Sequence, residues 1–151
     1  MRITFPHMGN SYIAISALLK ELGLEVVIPP PCSKRTLELG VRYSPEFVCL
    51  PLKINLGNYL EAMDQGADAI LMAGGWGPCR FGYYAQVERD ILQDLGRDFN
   101  MVIIEAPDSQ LLSLLTQVRQ MGIKASWFQV WSGIRLAWEK LKSIDGLEAL
   151  Q

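Results

Sequence analysis

Three cysteines, Cys32, Cys49 and Cys79, are the residues of this sequence best suited to chemistry. A thiolate is a nucleophile and a soft metal ligand. An odd number of thiols cannot close into a full set of internal disulfides, and a cytosolic thiol stays reduced in any case. Each cysteine is therefore a small buried apolar residue, a reactive thiol or a metal ligand. The three lie 17 and then 30 positions apart. Structural zinc usually takes four ligands from closely spaced pairs such as C-x-x-C, and no such pair is present. Dispersed thiolates fit an iron–sulfur cluster better. Three protein thiolates would leave one iron open to water, a hydroxyl, substrate or a fourth protein ligand.

Other residues could complete such a site. His7 is the single histidine, a candidate fourth ligand or proton donor, though a lone histidine is more often a hydrogen-bonded loop residue. Lys53 and Arg80 lie close in sequence to Cys49 and Cys79 and could offset the charge of a thiolate-ligated cluster. Gly75 and Gly77 flank Trp76 and would let backbone approach a cluster closely. The same glycines do not make a phosphate loop, because no G-x-x-x-x-G-K-[ST] is present, so no ATP site of that type is expected. Glu46 and Glu105 belong to no recognisable acid–base pair.

The elements that must hold these residues follow from the hydrophobic periodicity. Arg2 to Phe5 reads as a strand stopped by Pro6. Asn10 or Ser11 caps a helix whose apolar residues recur to Leu22, with Gly23 as its stop. Glu25 to Ile28 is a second strand. Pro29-Pro30-Pro31 then makes a stiff extended exit that delivers Cys32 to a fixed place. Ser33 caps a short helix to about Leu39, closed by Gly40, and Val41 to Phe47 reads as loop. Cys49 to Met63 is helical, with Pro51 in the first turn and a weak point at Gly57. Asp68 to Ala73 is a continuous apolar strand of the kind covered on both faces in a parallel sheet. Residues 74–79 form a loop, and a helix runs from about Tyr83 to Leu95. Met101 to Glu105 is the fourth strand. Two further helices are expected, from Asp108 or Ser109 to about Met121 and from Trp127 to Leu141.

This alternation predicts a single α/β domain: a four-stranded parallel sheet, flavodoxin-like in order 2-1-3-4, with helices on both faces and right-handed crossovers. The domain proper is expected over 1–125. Residues 126–151 are then a C-terminal amphipathic helix, with Trp127, Trp131 and Trp138 as packing groups, that rests on the domain or on a missing second one. In such sheets ligands sit beyond the carboxyl ends of the strands. Cys32 follows the second strand, Cys79 the third, and Cys49 opens the helix that feeds the third. Topology alone brings the three thiols to one rim. A helix N-terminus at Cys49 also favours its thiolate.

Length and composition fit a soluble globular protein: 151 residues, half of them hydrophobic, a fifth charged. A formal charge of -2 gives no electrostatic case for nucleic acid or an anionic membrane. The N-terminus lacks the apolar core of a signal peptide, and no apolar run is long enough to span a bilayer, so a cytoplasmic location is expected.

Two stretches are similar to a known family. Cys49-Leu50-Pro51-Leu52-Lys53-Ile54-Asn55-Leu56-Gly57 resembles the C-x-P-x-K-x-x-x-G stretch of acyl-CoA dehydratase activase-related proteins. Gly75-Trp76-Gly77-Pro78-Cys79-Arg80-Phe81-Gly82-Tyr83-Tyr84 resembles their G-x-G-x-C-R-x-G-x-Y pattern. That family stands with the component D subunits of 2-hydroxyacyl-CoA dehydratases and the double-cubane cluster proteins. The resemblance covers roughly Arg2 to Ser113. It implies a cysteine-ligated [4Fe-4S] or larger iron–sulfur cluster and electron transfer from a separate ATP-hydrolysing activator under anaerobic conditions. It further implies a role in a reductive or radical dehydration, with Cys32, Cys49 and Cys79 in the ligand positions. Members of the family are usually about twice as long, with a second α/β domain that helps to enclose the cluster; here a second domain or a homo-oligomer would have to serve. The residues by themselves equally allow a non-enzymatic binding or assembly module with structural thiols or a zinc site.

Overall fold

The computed structural model describes residues 1–75, 79–104 and 126–149, with the side chains of Arg80 and Trp127 outside the described set. The strands are β1 (Arg2–Thr4), β2 (Glu25–Val26), β3 (Ala69–Ala73) and β4 (Asn100–Ile104). The helices among the described residues are α1 (Tyr12–Glu21), α2 (Lys34–Tyr43), α3 (Leu50–Asp64), α4 (Tyr84–Asp94) and α5 (Trp127–Glu148). The helix expected from Asp108 or Ser109 to Met121 lies outside the described residues.

The four strands form one all-parallel sheet in the order β2-β1-β3-β4. That is the order predicted from the alternation, shared by flavodoxin-like sheets. β3 shows why its sequence is apolar without alternation. Ile70 and Met72 pack with α3 and α4 on one face. Ala69 and Leu71 pack with Leu19 of α1 on the other. A central parallel strand has no wet face, so every side chain on it is drawn from the apolar set.

The α2–α3 pair corrects two expectations. α2 does not stop at Gly40 but continues to Tyr43, and α3 runs unbroken through Gly57. Both glycines serve a close helix crossing. A Cβ on Gly40 would lie 1.8 Å from the Lys53 carbonyl oxygen, and one on Gly57 would lie 2.0 Å from that of Thr36. Ser33 caps α2 in a capping box with Thr36, as its position suggested. Thr36 Oγ1 in turn donates to Glu61 Oε2 at 2.6 Å, joining the helices through buried groups.

α5 lies antiparallel on α1. Ser132 Oγ donates to Glu21 Oε1 at 2.7 Å, and Asn10 Nδ2 donates to Glu148 Oε1 at 2.9 Å at the other end. Its packing strip is small, with Gly133 against Leu18 and Glu21 and Ala137 buried. Trp131 and Trp138 stay off this strip and remain 69% and 60% exposed. No helix among the described residues is long and apolar enough to cross a membrane.

Candidate functional site

The rim at the carboxyl ends of the strands is built around α3. Cys49 is the N-cap of α3 in extended backbone conformation, with Pro51 in the first turn. Cys79 is the N-cap of a 3-10 turn, Arg80–Tyr83, that leads into α4. All three cysteines are exposed and none is disulfide-bonded.

Tyr84 is in contact with Cys49 and feels the charge of Cys79. The Cys49 sulfur and the Tyr84 hydroxyl are in contact. Tyr84 is itself buried, tilted against Phe81. Its hydroxyl is pushed up to about 12, first by the hydrogen bond with Cys49, then by burial and by charge on Cys49, Cys79 and Glu88. A phenol held protonated is a hydrogen-bond donor, so Tyr84 can steady a thiolate at Cys49. The start of α3 adds the positive end of a helix dipole.

Beneath this pair lies a carboxyl that the sequence reading did not single out. Glu88 is one turn beyond Tyr84 on α4 and has no exposed surface. Among the described residues neither of its oxygens has a hydrogen-bond partner of normal geometry. Burial pushes its carboxyl up to about 8, Asn55 and Tyr59 pull the other way, and charge on Cys49 raises it further. The Tyr59 hydroxyl, held well above its usual range by the same burial and by Glu88, donates to Met72 Sδ at 3.1 Å. The signal for Glu88 was present in the sequence: positions 84, 85, 88 and 92 share one helical stripe, and a glutamate stands among apolar residues in it.

Cys32 sits elsewhere on the rim. Its sulfur lies 3.7 Å from the His7 carbonyl oxygen and 3.8 Å from Asn58 Oδ1. Asn58 is nine residues beyond Cys49, about 13 Å along the axis of α3 at the standard helical rise. The thiols are thus arranged as two plus one. Among the described residues no group of three or more His, Cys, Asp or Glu could hold a metal ion.

The remaining candidates are placed as follows. His7 stacks on Tyr12 with ring centroids 4.9 Å apart, and its backbone N–H donates to Asn58 Oδ1. Lys53 Nζ donates to the Glu46 carbonyl oxygen at 3.2 Å. Gly77 and Glu105 lie outside the described residues, and Arg80 contributes only its backbone to the description. A Cβ on Gly75 itself would meet nothing within 4 Å. The backbone of Gly82 packs so tightly on it that a Cβ there would lie 1.9 Å from the Gly75 oxygen. Gly82→Ala should therefore displace the turn that carries Cys79 and lower the melting temperature by several degrees, which a melting curve would check.

Residues 6–73 match a family model described as CoA enzyme activase uncharacterised domain (DUF2229). Over that stretch the chain is similar to the activase-related family. No curated protein and no solved structure matches the chain. The activase-related stretch runs from Pro6 to Ala73, so it includes Cys32, Cys49 and Asn58 and stops before Cys79.

Proposed function

We infer that this chain is the thiol-bearing α/β domain of an activase-related iron–sulfur protein. Cys49 and Cys79, joined by Cys32, would hold a [4Fe-4S] or larger cluster at the carboxyl rim. The observation that carries the reading is three exposed thiols on the exits and helix starts of one rim, two of them inside the activase-related stretch. The donor chemistry fits, since thiolates are the usual ligands of such clusters. Cys49 and Cys79 share Tyr84 as a neighbour in charge, and Cys32 rests on His7 and Asn58. When bound, the cluster would supply one-electron storage and transfer. The chain's own residues have separate tasks. Tyr84 would donate to a thiolate at Cys49, and α3 directs its positive end at that sulfur.

Phe47, Leu50 and Tyr83 are 83%, 59% and 70% exposed and flank Cys49 and Cys79 in sequence. Apolar residues left in water around a reactive site suit a docking partner. In this reading the partner is an ATP-hydrolysing activator that delivers low-potential electrons for a reductive or radical dehydration. The two-plus-one arrangement favours a second reading, a binding or assembly module with structural thiols or a zinc site.

Metal and sulfide analysis of protein purified without oxygen separates the two. About four irons and four sulfides per chain, with a visible charge-transfer band, are expected for one [4Fe-4S] cluster. Cys49→Ser and Cys79→Ser should each lower the iron content at least fivefold. Zinc without sulfide, or no iron even after reconstitution, would replace the cluster reading with the module.

A further inference from the structure

α5 carries large apolar side chains on the side turned away from α1. Phe128, Trp131, Ile134 and Trp138 are spaced by three, three and four residues. At about 100° per residue they share one face of the helix. They are 77%, 69%, 52% and 60% exposed. The face that meets α1 holds Gly133 and Ala137 instead, and a Cβ on Gly133 would already come within 3.1 Å of Leu18. A helix that served only its own domain would turn its aromatics inward and its small residues outward. α5 does the reverse. Hydrogen bonds from Ser132 to Glu21 and from Asn10 to Glu148 hold it in this rotation near both ends.

We propose that this face pairs with the same face of a second copy of the chain, antiparallel across a two-fold axis near Ile134. The layout matches itself under that symmetry, as an isologous contact requires. Trp131 and Trp138 stand two turns apart, about 10 Å along the axis, with Ile134 between them. An antiparallel crossing sets each Trp131 beside the partner's Trp138. The area suffices. Three aromatics and an isoleucine open to this degree leave on the order of 500 Å² of apolar side chain in water. Two copies together would remove on the order of 1,000 Å², the lower bound of a specific interface. Charge favours a copy over other partner classes. α5 sets Arg135, Lys140 and Lys142 against Glu139, Asp145 and Glu148, so no excess charge draws it to an anionic membrane, a nucleic acid or an acidic peptide. Arg135 is paired with Glu139, and Lys142 lies over the Trp138 ring at 5.6 Å, so charges bordering the stripe are already matched. Pairing also leaves the thiol rim open. Glu21 ends α1 at the amino edge of the sheet, opposite the rim, and the stripe lies beside it. The inference is independent of what the thiols hold.

Analytical ultracentrifugation of the whole chain over a range of about 1 to 100 µM tests the pairing, since mass action makes a dimer concentration-dependent. The wild type should pass from monomer to dimer as concentration rises. Trp131→Ser and Trp138→Ser should each weaken pairing at least tenfold, as expected for aromatic anchors at the centre of an interface. The double variant should stay monomeric, and its melting temperature should equal that of the wild type at a dilution where both are monomers. Wild-type tryptophan emission should move to shorter wavelength with the same midpoint as two indoles leave water. That reading stands even if a variant fails to fold. A wild type that is monomeric across the whole range would overturn the pairing and give the face to a chain of another kind. A dimer that survives the double variant, or assembly that continues past two copies, would place the contact elsewhere and overturn it as well.

Discussion

Glu88→Gln should stabilise the protein at pH 8.5 and leave it nearly unchanged at pH 4.5. Burial raises the folded-state carboxyl from 4.5 to about 8, with no normal hydrogen bond to offset the loss of water. Between those values the folded chain keeps a proton that the unfolded chain releases. The unfolded state then binds fewer protons, so stability falls as pH rises through this window and levels off above it. The full cost is about 3–5 kcal/mol, since one pKa unit corresponds to about 1.4 kcal/mol. Glutamine fills the same space without a charge, so its curve should be flat where the wild-type curve slopes. Denaturant unfolding at several pH values measures both. Parallel curves would mean that water reaches Glu88 and that its burial has little consequence.

The same carboxyl explains part of what the sequence made legible. Its stripe on α4 could be read from spacing alone, yet its meaning depends on which neighbours close over it. Tyr59 and Asn55 come from α3, far away in sequence, and no periodicity announces their approach. The sheet was more legible. A run such as Ala69-Ile70-Leu71-Met72 fits a strand with two covered faces and little else, and the prolines after β2 fix where Cys32 must leave the sheet. The rim was readable as a level in the fold, because strand exits and helix starts alternate by topology. What topology does not give is height along α3. Cys49 and Cys32 are both rim residues, and α3 rises more than two turns between Cys49 and Asn58, the residue beside Cys32. The contact face of α5 was hidden for a related reason. Amphipathic spacing marks an apolar stripe without saying which stripe meets the neighbour, and here the small residues Gly133 and Ala137 do.

Gly57→Ala should lower stability by about 3 kcal/mol, although alanine is the better helix former. In an exposed helix the change would add roughly 1 kcal/mol of stability. Here the new methyl would sit 2.0 Å from the Thr36 carbonyl oxygen and 2.8 Å from its carbon. Those are backbone atoms inside α2, so relief requires the helices to separate, a cost typical of an overpacked core. Separation also stretches the Thr36–Glu61 hydrogen bond and the Arg35–Glu61 ion pair, both made from α2 to a nearly buried carboxylate on α3. Gly40→Ala meets the Lys53 carbonyl oxygen across the same crossing and should cost a similar amount. The pair should be strongly non-additive, because one outward shift of α2 relieves both clashes. A double variant no more than about 1 kcal/mol worse than either single one is the expected result, read from urea unfolding of all four proteins. Full additivity would mean that the two contacts relax separately and that α2 does not move as a rigid body. The distinction bears on the rim, since Ser33 begins α2 directly after Cys32. A helix that shifts as one piece carries Cys32 and the prolines before it along.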